Sequence, residues 1–116
     1  MSTQKYLTEI LLFSELPEGW DGYGALSPSE EVIKNAVSIL GDIHPDDDLE
    51  ITPNTNGTIS FEWLDPESQT TRIHLEIGQT RASMYIKTDD TKTLFFDYEN
   101  IHLSKPTVDT DLSPYI

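Results

Sequence analysis

Two stretches, Thr58-Ile59-Ser60-Phe61-Glu62-Trp63-Leu64 and Arg72-Ile73-His74-Leu75-Glu76-Ile77, decide the fold. In each, bulky apolar residues occupy every second position, so Ile59, Phe61 and Trp63, then Ile73, Leu75 and Ile77, share one side of an extended chain. A strand with one apolar and one polar side belongs to an antiparallel sheet with one buried face. Asp65-Pro66-Glu67-Ser68 supplies the turn between them. Upstream, Leu49 to Thr52 is a short strand that reaches Ile59 through the turn Asn54-Thr55-Asn56-Gly57. Downstream, Gly78-Gln79 turns into Ala82, Met84 and Ile86, which alternate with Ser83, Tyr85 and Lys87. Asp89-Asp90 turns again before Thr93 to Tyr98, and Ile101 to Leu103 could add a short edge.

The N-terminal part has a different period. Tyr6, Leu7, Ile10, Leu11 and Phe13 fall at helical spacing within Thr3 to Leu16, and Pro17 stops that helix. Ser27-Pro28-Ser29-Glu30 combines an N-cap hydroxyl at Ser27, a proline at the first helical position and a glutamate placed for a capping box. It predicts a helix from Ser27 to Leu40 whose stripe is Val32, Ile33, Ala36, Val37 and Leu40, capped by Gly41. Between the helices, Gly19-Trp20-Asp21-Gly22-Tyr23-Gly24-Ala25 is too glycine-rich for a regular element and is a loop, with Trp20 expected to pack on the core. The expected fold is therefore α+β, with two N-terminal helices on one face of an antiparallel meander of four to six strands. Residues 1–103 form one domain in this reading, and 104–116, with two prolines and few apolar residues, an extended or mobile tail.

The loop, the Ser27-Pro28 helix start, Asn56-Gly57 and Phe61-Glu62-Trp63 together resemble a group of small bacterial and phage proteins that share this loop, helix and hairpin pattern. The resemblance covers about residues 19–64. It implies a compact accessory domain of bacterial or phage origin. That group has no assigned activity, so the resemblance carries over no functional residue.

Charge bounds the partners. The chain of 116 residues has a formal net charge of −14 and an isoelectric point near 4.2, which repels nucleic acid and anionic membrane. Such a surface either attracts a basic protein or keeps a small domain soluble. The absence of cysteine removes disulfides and thiolate sites. With no secretion signal or membrane span in the sequence, the expected location is the cytoplasm, and Asn56-Gly57-Thr58 is turn chemistry rather than a glycosylation site.

No catalytic residue, cofactor or metal is assigned. Gly22-Tyr23-Gly24 lacks the lysine and the further glycine of nucleotide-binding loops. In the run that begins at Asp46, the calcium-loop positions that need glycine and glutamate hold Ile51 and Gly57. The densest acidic stretch is Glu30, Glu31, Asp42, Asp46, Asp47, Asp48 and Glu50, with Lys34 as its one cation. These seven are the candidate partner-binding residues. The expected function is non-enzymatic binding of a basic protein, either a toxin or a nucleic-acid-binding defence protein, as an antitoxin or an anti-defence inhibitor of the anti-CRISPR type would do. One form of this is nucleic-acid mimicry, in which carboxylates occupy a partner's basic channel. The alternative surface is the polar sheet face with Glu62, His74, Glu76 and Tyr85, where a histidine between carboxylates could bind a ligand or act as a general base.

Overall fold

The computed structural model describes residues 2–43, 49–64, 71–88 and 92–115. In chain order these form α1 (Ser2–Phe13), α2 (Glu30–Ile43), β1 (Leu49–Pro53), β2 (Ile59–Leu64), β3 (Thr71–Ile77), β4 (Ala82–Lys87), β5 (Thr93–Tyr98) and α3 (Ile101–Leu112), followed by a 3-10 turn over Ser113–Tyr115. The five strands pair in sequence order and every pairing is antiparallel, so the sheet is a meander. The fold is α+β. The segments 65–68 and 89–90, read as turns, lie outside the described residues.

The period-two reading sets the core. Ile59, Phe61, Trp63, Ile73, Leu75, Ile77, Met84 and Ile86 are all buried, and they meet Tyr6 and Ile10 of α1 and Val32, Ile33, Ala36, Ile39 and Leu40 of α2. Leu94, Phe96 and Tyr98 extend the same face into β5. α2 lies across β2 and β3, with α1 on its β1 side and α3 on its β5 side.

Three local expectations are corrected. α2 starts at Glu30, and its N-cap is Ser29: the Ser29 carbonyl accepts from Ile33 N (3.0 Å) and its hydroxyl from Val32 N (3.3 Å). Pro28 disfavours the helical conformation for the residue before it, so Ser27 stays outside. Glu30 then pairs with Lys34 at 3.3 Å instead of closing a capping box. At the other end Gly41 is helical rather than a cap, because Ile43 continues the Ile39–Leu40 stripe into the core. Trp20 is only half-buried, and its indole donates to Leu26 O at 2.9 Å. It braces its own loop, whereas Ala25 is the loop residue that enters the core.

The largest departure is at the C-terminus. Neither a short edge at Ile101 nor an extended tail from residue 104 forms. The chain makes α3, capped by Asn100, whose Oδ1 accepts from His102 N at 3.1 Å. Ile101, Val108 and Leu112 are fully buried, at the spacing of one helical face, and Tyr98 Oη donates to Asp111 Oδ2 at 2.8 Å. Burial of three such side chains, at about 1.5–3 kcal/mol each, outweighs the cost of Pro106 inside the helix, about 3 kcal/mol. Residues 104–115 thus pack, through Val108, Leu112 and Tyr115, on the core shared by the sheet and the other helices. The register shift at Trp63/Leu64 leaves Arg72 unpaired as the bulged residue of β3, and its guanidinium donates from Nη1 to Tyr115 O at 2.7 Å.

Candidate binding face

Side chains in opposite phase to the core project from the sheet face away from the described helices. The registers align them in two cross-strand rows. Glu50, Glu62, His74, Tyr85 and Phe95 form one, and Thr52, Ser60, Glu76, Ser83 and Asp97 the other. Glu62, His74, Glu76 and Tyr85 therefore do lie together, each half-buried by its neighbours. The His74 and Tyr85 rings stack with centroids 5.4 Å apart and planes 9° from parallel. Phe95, next in the row, is 78% exposed.

A polar network runs beneath the rows. The turn between β1 and β2 is closed by Gly57 at φ 86° and by Asn54, whose side-chain amide donates to Thr58 Oγ1 (2.9 Å) and Ser60 Oγ (2.7 Å). Thr58 Oγ1 and Asn56 Nδ2 both donate to Glu76 Oε2, at 2.7 and 3.1 Å. These bonds hold the Glu76 carboxyl below its usual pKa, Asn56 first and Thr58 second, with a smaller contribution from His74. Glu76 is a fixed negative charge near neutral pH.

Ser60 Oγ lies 3.1 Å from His74 Nε2, and His74 Nδ1 lies 3.7 Å from Glu62 Oε1. The order serine, histidine, carboxylate is that of a nucleophilic triad. Two features oppose that use here. Ser60 has 0% exposure and its oxygen already accepts from Asn54, while 3.7 Å is too long for the carboxylate to orient the ring by a hydrogen bond. The arrangement pins His74 upright against Tyr85. Among the described residues, no three histidine, aspartate or glutamate side chains converge as metal ligands.

The four described members of the acidic stretch, Glu30, Glu31, Asp42 and Glu50, do not form one patch. Glu30 and Glu31 open α2 and Asp42 lies near its end, about 16 Å along the helix at 1.5 Å per residue. Glu50 belongs to the outer row beside Glu62, on the other side of the sheet from α2. Asp46, Asp47 and Asp48 lie outside the described residues.

Phe95, Asp97 and Ser60 were not singled out in the sequence. Leu94-Phe95-Phe96 is apolar at every position, so alternation alone gives no phase there. The signal was present in Asp97 and Tyr98, whose opposite polarity gives the phase of β5. Compared with protein-family models, curated proteins and solved structures, the chain matches none.

Proposed function

We propose that this protein is a non-enzymatic acidic binding protein that engages a basic protein partner, in the role of an antitoxin or an anti-defence inhibitor, through the outer sheet face. The carrying observation is the pairing of the two rows: His74, Tyr85 and Phe95 stand beside Glu50, Glu62, Glu76 and Asp97. Aromatic side chains give an interface area at low entropic cost, and carboxylates around them speed encounter with a basic surface and set its orientation. A ligand-binding or enzymatic use would draw on the same face. The sealed Ser60 hydroxyl favours contact over chemistry.

Capture of a partner from bacterial lysate tests the reading. The Phe95→Ser/Asp97→Asn double variant should lose the partner, and Glu30→Lys/Glu31→Lys should keep it. Binding should weaken visibly between about 50 and 200 mM salt, as the Debye length falls from roughly 14 to 7 Å. A nucleic-acid mimic would also compete with DNA or RNA for that partner. Retention of the partner by the Phe95→Ser/Asp97→Asn protein at every salt concentration would move the site elsewhere.

A further inference from the structure

Resting on the basic-partner reading, we infer that the cleft between β4 and β5 on the outer face receives an arginine side chain from an extended basic segment of the partner, in preference to lysine. The cleft is a cavity of about 120 Å³ bordered by His74, Ser83, Tyr85, Phe95 and Asp97. A space of this size admits a small planar group. Its sides are aromatic. Tyr85 has one ring face covered by His74, and Phe95 is 78% exposed at the outer strand. Its end is anionic. Asp97 sits directly across from Ser83, with Glu76 on the far side of that residue.

Guanidinium matches this combination. It is flat, delocalised and weakly hydrated, so it stacks on an aromatic face while its edge donates to a carboxylate. An ammonium is compact and strongly hydrated, and gives up more solvation to enter an aromatic cleft. Free aromatic ligands and bases gain stacking alone, and a nucleotide phosphate would meet Asp97, Glu76 and a net charge of −14. Two cations of the chain stand near the cleft without lining it. Lys87 is on the same face, two residues beyond Tyr85 and away from Asp97, which directs an incoming cation toward the Asp97 end. Arg81 lines the adjoining cavity of about 290 Å³ together with Glu76 and Asp97, where it competes with the incoming group.

Titration of the full chain with two peptides tests this, one of four Arg-Gly repeats and one of four Lys-Gly repeats, by calorimetry at about 50 mM salt. The arginine peptide should bind roughly tenfold tighter, and the Tyr85 and Phe95 ring resonances should shift with it. Phe95→Ser and Tyr85→Leu should each bring the preference close to one, and Phe95→Trp should restore it. Asp97→Asn should weaken both peptides, and Arg81→Gln should tighten both. Thermal melts confirm that each variant folds. Equal binding of the two peptides, or an arginine preference that survives both ring substitutions, overturns the arginine site and leaves the basic-partner reading standing on its salt dependence. Failure of both peptides to bind at low salt counts against both.

Discussion

Asn35 offers the sharpest test of how α2 is locked to the sheet. It is 1% exposed, and its side-chain amide donates to Gly78 O at 3.0 Å and Gln79 O at 3.1 Å, tying the middle of the helix to the β3–β4 turn. Asn35→Ala removes both donors. At a net worth of about 1 kcal/mol per hydrogen bond, the loss is about 2 kcal/mol. Asn35→Asp keeps the shape but, when ionised, presents a second acceptor to two carbonyl oxygens in a buried site. That change should cost about 3–5 kcal/mol near neutral pH, more than the deletion. Burial and the two carbonyls raise the pKa of the introduced carboxyl above its unfolded value. The neutral acid can donate one bond, so the Asp variant is favoured below the unfolded pKa and loses ground as pH rises through the folded pKa. The gap between the Asp and Ala variants should therefore widen from pH 5 to pH 8. Urea denaturation followed by circular dichroism reads this directly. With a slope of about 1.5 kcal/mol per M, a 2 kcal/mol loss lowers the midpoint by about 1.3 M. An Ala variant within about 0.3 M of the wild type, or an Asp variant more stable than Ala at pH 8, would refute the role of the two bonds.

Ser29→Ala should cost about 0.5–1 kcal/mol and Ser27→Ala close to nothing in the same assay, and the reverse order would put the cap back at Ser27. Leu112→Ala, at a fully buried site on α3, should cost about 2–5 kcal/mol; a loss below about 1 kcal/mol would mean that α3 is not part of the cooperative unit. Tyr98 has its hydroxyl pKa pushed up, first by burial and then by Asp111, so the stability it contributes is complete below the unfolded value near 10 and is lost as pH rises above it. Denaturation at pH 7 and pH 11 should show a steeper loss for the wild type than for Tyr98→Phe, and parallel losses would exclude Tyr98 as a source of alkaline instability.

The central strands were legible because Ile59 to Trp63 and Ile73 to Ile77 alternate without a break, and one face had to be buried whatever lay above it. α2 was legible in its stripe but not in its ends, since Ser27 and Ser29 are both good caps and only the backbone chooses between them. α3 was hidden because its three buried residues are separated by Ser104, Lys105 and Pro106, and its stability comes from docking, not from local preference. For the candidate face, alternation gave the phase of Glu62, His74, Glu76 and Tyr85. Pairing register, which no single strand encodes, was needed to bring in Asp97, Phe95 and Ser60. The run from Glu30 to Glu50 looked like one patch because it is short in sequence, but among its described residues the length of α2 separates Glu30 and Glu31 from Asp42, and Glu50 lies on the other sheet face.

Among the described residues, the sequential strand order leaves β1 and β5 with one neighbouring strand each. Their outward backbone groups are ready templates for another copy of the same chain. Pro53 lacks one donor at the end of β1, but β5 has no proline, and Phe95 sits beside its open side. Mutual repulsion between strongly negative copies opposes such pairing, so the excess of acid guards colloidal stability, apart from the partner binding proposed for it. Near pH 4.2, where the net charge falls to zero, that guard is lost, and self-association along β5 is the expected first route to precipitation for any molecules that remain folded.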